Sequence, residues 1–443
     1  MASTLLSKTW STVGSTTKGT LSMWAKLDNN NGGDRYLYTV LLDNSNELKL
    51  MHRDSGSSEG NLRIFVTGTG GASIDLETSR FVRDPSAWYH FVMAIDMAQN
   101  TDTNRIKFYI NGVQDTFSSA VWSNDRSGGW VAGNTAWSSH IGGSANQSSN
   151  RFGGSMAMVE FVDGQQLDPT YFGSTNTATG IWTPADSTAI SDYGTNGYKL
   201  AMDTTSPGAD TSGKGNTFSV ANGTPTLTQG NPQNNWCTMN PLNQPQSAYV
   251  LSQGNNTLTM GGGTEKKAGS ATIGVATGKF YWEVKLLSQS AETFTTIGIS
   301  GATDLESGTA GSQSTDYLYR GQNGTLKNNG GATSYGATWG VGDIVGVALD
   351  CTSAQNTLTF YKNGASQGAI NITSAASTPN SVYLPTAGKE ASAVPVLNFN
   401  FGEGFFGTVA AGTNADGNGQ GLFAYAVPSG YYALNTKNLE AYG

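Results

Sequence analysis

The sequence predicts an all-β protein made of two antiparallel sandwich domains, and three observations support this prediction. Alternating apolar and polar residues recur in short runs, such as WYHFVMAID (88–96) and KFYWEVKLL (279–287), as expected for strands with one buried face. Only 13% of the residues are charged and 58 are Gly, which suits short strands joined by tight turns. The 443 residues exceed the size of one core, so two domains are expected.

A nearly identical phrase occurs once in each half of the chain. It is FYINGVQ at 108–114 and FYKNGASQG at 360–368, and each follows an alternating run that ends in Asp, at Asp96 and Asp350. Asn-Gly between two alternating runs is a strong hairpin signal because both residues tolerate positive φ. The phrase therefore predicts the same antiparallel β meander in both halves, with each Asp capping a turn.

The first half contains further short runs at regular spacing. They predict strands at 20–27, 36–43, 47–53, 62–68, 105–112, 139–144, 154–167, 198–203 and 216–223. Regular short strands with turn signals predict a sandwich or barrel, here spanning residues 1–223. Residues 224–247 are rich in Pro, Asn and Gln and lose the alternation, so they are predicted to be a linker.

The second half restarts the strand pattern and forms the second predicted domain, residues 248–443. Its predicted strands are 256–262, 279–287, 296–301, 316–321, 343–350, 357–364, 382–388 and 395–402. The tail PSGYYALN (428–435) is expected to pack back on this domain.

Composition excludes several classes of function. The net charge is −8 with no basic stripe, so nucleic acid is not an expected partner. The N-terminus lacks the pattern of a signal peptide, and nothing approaches the length needed for membrane insertion. Cys237 and Cys351 are predicted to be idle thiols, which favours a protein made in the cytoplasm.

A search for catalytic patterns indicates that the protein is not an enzyme. Glucanases need two or three carboxylates alternating on one strand, and no Glu-x-Asp-x-x-Glu occurs here. The three His residues lack the spacing of metal ligands. No Gly-x-Ser-x-Gly nucleophile elbow occurs in a strand–turn–helix context.

Two families resemble the two halves. The first half, through LSMWAKL, WYHFVMAID, IKFYINGVQ, HIGGS and GSMAMVEFVDGQQLDPTYFG, resembles concanavalin A-like jelly-roll domains of the laminin G type. The second half, through GKFYWEVKLL, TIGIS, YGATWGVGDIVGVALD, NTLTFYKNG and VLNFNFG, resembles a SPRY domain. The resemblance implies two jelly-roll sandwiches in tandem.

The junction NNWCTMNPLN and the end PSGYYALNTKNLEAYG resemble a virion protein type of tailed bacteriophages, especially marine ones. This resemblance implies a non-enzymatic protein that is made in the host cytoplasm and displayed on the virion surface. It would contact other virion proteins as a homo-oligomer and bind a host glycan or protein. The main alternative is a capsid or tail decoration protein that clamps neighbouring subunits, and a distant one is a glycan-cleaving enzyme.

Two groups of residues are candidates for ligand binding. The extended loop in SSAVWSNDRSGGWVAGNTAWSSH (118–140) carries aromatic and planar polar side chains, which suit glycan binding: Trp122, Asn124, Asp125, Arg126, Trp130, Asn134 and Trp137. These Trp residues could equally pack against the sandwich, a neighbouring subunit or the second domain. In the second half the SPRY resemblance implies binding loops at one end, with candidates Tyr317, Tyr319, Arg320, Tyr335 and Trp339.

Calcium is a further possibility, because laminin G-like domains often hold this ion. Asp210 and Asn216 in DTSGKGN could supply oxygen ligands from a bent backbone. Turn chemistry alone explains the same residues, so the expectation is that no cofactor is bound.

Overall fold

A computed structural model describes the chain except for residues 1–3, 29–32, 44–45, 54–59, 68–72, 123–134, 178, 203–205, 244–248, 262–265, 291–294, 302–309 and 391–393. The chain forms two compact units, Met1–Leu227 and Thr228–Gly443. Both consist of antiparallel sheets, so the predicted all-β fold with two sandwiches is confirmed.

The first domain contains sixteen strands among its described residues. They are β1 Leu5–Thr9, β2 Lys18–Lys26, β3 Arg35–Asp43, β4 Asn46–His52, β5 Leu62–Thr67, β6 Ser73–Thr78, β7 Trp88–Asp96, β8 Ile106–Ile110, β9 Val113–Gln114, β10 Phe117–Val121, β11 Ser138–Ile141, β12 Ser155–Asp163, β13 Gly173–Thr175, β14 Trp182–Pro184, β15 Tyr198–Leu200 and β16 Ser219–Asn222. The helical turns are α1 Asp102–Arg105 and the 3₁₀ segments Ser148–Asn150, Pro169–Tyr171 and Ser187–Ala189.

Two sheets enclose the core of the first domain. The larger has the order β10-β6-β5-β4-β3-β11-β1-β16, and the smaller has the order β15-β12-β2-β7-β8-β9. Alternation places Met23, Phe91 and Phe108 of the smaller sheet against Leu50 and Ile64 of the larger one in a single apolar cluster. The strand β7 has the bounds that the sequence predicts.

The second domain repeats this architecture with sixteen strands in the part of it that the structure describes. They are β17 Tyr249–Ser252, β18 Thr257–Met260, β19 Lys266–Ser270, β20 Lys279–Ser288, β21 Thr295–Ser300, β22 Asp316–Arg320, β23 Thr325–Asn328, β24 Gly331–Ser334, β25 Ile344–Asp350, β26 Asn356–Lys362, β27 Ala365–Ile372, β28 Leu384–Lys389, β29 Val396–Asn400, β30 Phe405–Phe406, β31 Val409–Ala410 and β32 Tyr432–Ala433. The helical segments are Pro241–Asn243, Ala375–Ser377 and α2 Thr436–Tyr442. The sheet orders are β17-β18-β29-β20-β25-β26-β27 and β19-β28-β21-β22-β23-β24.

Part of the predicted linker at 224–247 packs into the second domain. Trp236, Cys237 and Met239 are buried inside the second domain. Trp236 pairs with Asn435 and Met239 with Ala271 through single bridges rather than through a strand. Isolated bridges produce no alternation, so in the sequence only the apolar residues Trp236 and Met239 indicate this packing.

Both Asn-Gly turns form as the repeated phrase predicts. Asn111 and Gly112 have φ of 50° and 77°, and Asn363 and Gly364 have φ of 48° and 81°. These values are those of a two-residue hairpin turn whose twist matches its strands.

Each turn Asn also fastens the start of the preceding long strand. The Asn111 N–H donates to the carbonyl oxygen of His90 at 2.9 Å, and the His90 N–H donates to Asn111 Oδ1 at 2.8 Å. Asn363 and Ile344 exchange the same two bonds at 2.8 and 2.9 Å. We call this two-bond arrangement the Asn clamp, and both domains contain it.

The Asp that ends each long strand has the expected capping role and also an ion pair. Asp96 accepts the Ala98 N–H at 3.1 Å and lies 3.0 Å from Lys18 Nζ, its cross-strand neighbour. Asp350 likewise accepts the Thr352 N–H at 2.9 Å and lies 2.8 Å from Lys279 Nζ. The repeated unit therefore includes the strand that begins with this Lys.

Each domain has one sheet whose outer face is covered by an irregular segment. In the first domain the cover is residues 164–177 and 179–197, whose Phe172, Ile190 and Tyr193 pack on Val92 and Val162. In the second domain the cover is residues 403–443, and its Phe423 and Ala433 pack on Trp236, Tyr281 and Ala348. We call these two segments the covers.

In each domain an aromatic ring of the cover packs directly against the turn Gly. A Cβ added to Gly112 would lie 2.5 Å from the Trp182 ring, and one added to Gly364 would lie 2.7 Å from the Tyr425 ring. Since these distances are below van der Waals contact, a larger residue at either position displaces the ring.

We expect Gly112→Ala and Gly364→Ala to lower the free energy of unfolding by about 2–5 kcal/mol, from strain at positive φ and from overpacking against the ring. Gly213→Ala and Gly430→Ala are matched controls, because φ is 84° and 80° and nothing lies within 4 Å. The controls retain only the strain, about 1–2 kcal/mol. Urea denaturation of all four variants measures their free energies of unfolding. Equal losses in the two pairs would contradict the packing of a ring against Gly112 and Gly364.

Candidate functional site

The predicted Trp-rich site in the first domain lies largely outside the described residues. Residues 123–134 are not described, and they include Asn124, Asp125, Arg126, Trp130 and Asn134. Trp122 is half-buried, and its ring meets the Phe117 ring edge-on at a centroid distance of 6.1 Å.

Trp137 belongs to the core, so its assignment as a ligand-binding residue is corrected. It is 7% exposed, joins the main apolar cluster, and its carbonyl accepts the Trp10 N–H at 2.9 Å. The alternative that this ring packs against the sandwich is the one that the structure supports. A buried indole offers no face to a ligand.

We expect Trp137→Ala to lower the free energy of unfolding of the first domain by about 3–5 kcal/mol, the range for a buried aromatic truncated in a core. Trp122→Ala, at a half-buried position, should cost less. Thermal unfolding followed by circular dichroism compares the two variants. A Trp137→Ala protein as stable as the wild type would contradict the core assignment.

The candidates in the second domain are mostly buried as well. Tyr319, Tyr335 and Trp339 do come together, with centroid distances of 5.2 and 6.0 Å from the Tyr319 ring, but they pack on Phe360 in the core. Tyr317 is buried apart from them and shares a hydrogen bond with Thr373 at 3.1 Å. Both tyrosines point inward from alternate positions of β22, which corrects their assignment to a binding surface.

Arg320 and Tyr335 have structural partners of their own. Arg320 is buried on the face of β22 opposite to Tyr319, and it forms an ion pair with Glu390, which Lys327 also contacts at 2.9 Å. Tyr335 is half-buried, and its hydroxyl donates to the carbonyl of Gly368 at 2.6 Å. Arg320 is therefore part of a buried ion pair, and Tyr335 closes one side of the sandwich.

Asp210 and Asn216 form a turn and do not resemble a cation site. Asp210 Oδ1 accepts the N–H groups of Lys199 and Ser212 at 2.9 Å, and Oδ2 accepts the Asn216 N–H at 2.7 Å. Asn216 Nδ2 donates to backbone carbonyls. Among the described residues, no three His, Cys, Asp or Glu lie together as metal ligands would.

The sequence analysis missed a polar surface on the outer face of the larger sheet of the first domain. Alternate positions of β4, β5 and β6 point outward there, because Leu48, Leu50, Ile64 and Leu76 between them face the core. We define the polar face by nine residues: Asp34, Tyr36, Glu47, Lys49, Arg53, Arg63, Phe65, Asp75 and Glu77.

Strand register brings these side chains into rows. Lys49, Phe65 and Asp75 are direct cross-strand neighbours on β4, β5 and β6, and Arg63 lies opposite Glu77. Neighbours in such rows are close enough for ion pairs and cation–π contacts.

Every carboxylate of the polar face is paired with a cation. Arg63 makes two bonds of 2.6 Å to Asp75, one to each oxygen. Arg53 contacts Asp34 at 3.0 Å and Glu77 at 2.5 Å. Glu47 is paired in the same way, by Lys49 Nζ at 2.5 Å.

Two aromatic rings lie between these ions. Lys49 Nζ is 5.1 Å from the Tyr36 ring centroid and 5.9 Å from that of Phe65, and the Arg63 guanidinium is 5.0 Å from Phe65. Tyr36 also donates its hydroxyl to Gln147. Burial, reinforced by Glu47 and Asp34, raises the pKa of Tyr36 to about 12, so this hydroxyl stays a donor at neutral pH.

This arrangement suits binding better than acid–base chemistry. Each carboxylate shares its charge with a cation, whereas a glycosidase needs one carboxyl kept protonated beside the bond it cleaves. Fixed guanidinium and carboxylate groups instead present donors and acceptors in set positions. Charged residues alternate with core residues in the runs ELK and IDLE, but no single run shows the pairing across strands.

Within the described residues, no helix has the length and apolar character needed to cross a membrane. Residues 4–168 match the family described as the concanavalin A-like lectin/glucanases superfamily, and residues 279–402 match the SPRY domain. The chain therefore carries a concanavalin A-like domain followed by a SPRY domain, as the sequence patterns predict.

The chain is similar over part of its length to Ran-binding protein 9. The protein of Xenopus tropicalis is 33% identical over 150 residues, which are 33% of this chain and 26% of that protein. The human protein is 31% identical over 147 residues, 32% of this chain and 19% of that protein. This chain thus spans about a quarter or less of these relatives.

Among solved structures, the SPRY domain of human HERC1 is 21% identical, with a TM-score of 0.29, and the match covers 34% of this chain and 92% of that one. A human SPRY domain is 15% identical with a TM-score of 0.27, covering 34% of this chain and 94% of that one.

Proposed function

We propose that this chain is a non-enzymatic attachment protein of a tailed-bacteriophage virion, whose first domain binds a host-surface glycan through the polar face. The virion context is supported by the junction and tail phrases of the sequence. The SPRY domain supplies a second β-sandwich that contacts other virion proteins or a host protein. Many copies on one particle would raise avidity without new contacts.

The observation that carries this proposal is the ion pairing of the polar face. Its planar groups already hold their positions, so a hydroxyl-rich ligand meets donors and acceptors without reordering long side chains. The side chains of Arg53, Arg63, Asp75 and Glu77 are 18–30% exposed, whereas the other members Tyr36, Glu47 and Lys49 are buried. The pairing of all four carboxylates also favours binding over hydrolysis.

The alternative, a decoration protein that clamps neighbouring subunits, has one observation in its favour. Phe81, Val113 and Ile181 expose half or more of their surface near the first Asn-Gly turn. Arg80 joins this end by donating to the carbonyl of Val113 at 2.6 Å. Exposed apolar side chains beside Arg are typical of protein interfaces.

We expect the double variant Arg63→Gln/Asp75→Asn to weaken binding of the full chain to host cells at least about tenfold, since one bidentate pair of the site is removed without leaving a charge unpaired. The matched control is Lys214→Gln/Asp192→Asn, an exposed ion pair elsewhere in the first domain. Flow cytometry with labelled protein compares wild type and both variants.

Equal binding by the two double variants would reject the polar face as the site. No binding by wild type, together with re-attachment of the protein to particles stripped of it, would favour the decoration protein. Release of reducing sugar from host polysaccharide by the wild type would reject the non-enzymatic assignment.

A further inference from the structure

His90 lies under the cover of the first domain, where its ring is completely buried. It stacks on Trp24 at a centroid distance of 4.7 Å and on Trp182 at 6.0 Å, with Phe172 at 6.5 Å. Trp24 belongs to the sheet, whereas Phe172 and Trp182 belong to the cover. The imidazole therefore joins the sheet to its cover.

Two hydrogen bonds fix the protonation state of this ring. Trp182 Nε1 lies 3.0 Å from His90 Nδ1, and an indole N–H only donates, so Nδ1 must carry a lone pair. The Ser22 hydroxyl lies 2.8 Å from Nε2, which therefore bears the proton. A second proton, on Nδ1, would place the N–H of His90 against the indole N–H of Trp182. The hydrogen bond to the cover would then break.

The groups that face His90 supply no charge to stabilise an imidazolium. Ser22 and Trp24 face it from β2, Asn111 from the turn, and Phe172 and Trp182 from the cover. The titratable groups elsewhere under this cover and beside it include Tyr109, Glu160, Asp163, Asp168, Asp186, Asp192, Tyr193 and Lys199. Burial lowers the pKa of His90 to about 3.

The geometry points to an acid-released latch, in which neutral His90 holds the cover on the first domain through Trp182, and protonation frees the cover. Trp182 begins β14 and rests on the bare backbone of Gly112 and Gly173. Its ring meets glycine backbone at these two positions, so the hydrogen bond to His90 fixes where the indole lies. Release would uncover Val92 and Val162, which are apolar.

The direction of the pH effect follows from the two states of the chain. His90 has an ordinary pKa of 6.5 when unfolded and about 3 when folded, so between these values the unfolded chain binds more protons. The stability that neutral His90 contributes is complete above pH 6.5 and is lost progressively as the pH falls toward 3. Burial lowers the pKa of His140 to about 4, which adds in the same direction.

No histidine contributes to such a response in the second domain. All three His of the chain, His52, His90 and His140, lie in the first domain. The cover of the second domain is fastened by Glu283, which accepts the N–H groups of Ala424 and Tyr425 at 2.9 Å. Burial outweighs these bonds and raises the pKa of Glu283, so acid does not oppose the folded state through this group.

The test is limited proteolysis and differential scanning calorimetry of the full chain between pH 7 and 4. In the wild type we expect cleavage within the cover to accelerate in acid, and the first-domain transition to fall by roughly 5 °C between pH 6.5 and 5. His90→Gln should remove about half of this shift, because Gln accepts from Trp182 and donates to Ser22 without titrating, whereas His140 still contributes. His52→Gln is the control, since His52 contacts the carbonyl of Val82 away from the cover.

A pH-independent rate of cleavage in the wild type, or an equal shift in His90→Gln and wild type, would overturn the latch. If His90→Gln does not fold, the imidazole NMR signals of the wild type decide the matter. A His90 ring that stays neutral at pH 5 in the folded protein supports the latch, and one that titrates near 6.5 overturns it.

Discussion

The structure depends on a tight turn that performs two tasks at once. The Asn of each Asn-Gly pair fastens the preceding long strand by two backbone-directed bonds, and the Gly leaves room for a ring from the cover. Because the ring and the rest of the cover pack on one sheet, the outer face of that sheet is buried. Polar groups on that face must then be satisfied inside the protein, as Glu160 is by Tyr193 and Glu283 by backbone N–H groups.

Local alternation was enough to predict most strands and both turns, because each depends on neighbouring residues in the chain. It was not enough for segments held by single bridges, such as the predicted linker at 224–247, in which Trp236 is buried. Nor does alternation reveal which of two faces is the interior. The SPRY resemblance suggested Tyr317 and Tyr319 as residues of binding loops, whereas β22 turns them toward the core.

The polar face was missed for a related reason. Glu47, Arg63 and Asp75 lie on three different strands, and each is unremarkable within its own run. Their pairing appears only when sheet register sets β4, β5 and β6 side by side. A search confined to carboxylates on one strand tests for hydrolysis, but it does not detect a binding surface assembled across strands.

Each domain has its own cover, and the two covers are held by groups that respond to acid in opposite ways. In the first, the acceptor for the cover is an imidazole nitrogen, which loses its lone pair on protonation. In the second, it is a carboxylate whose two oxygens each receive a backbone N–H, and burial raises its pKa. Protonation of His90 therefore removes the acceptor that holds the first cover, whereas acid does not oppose the folded state of the second domain through Glu283.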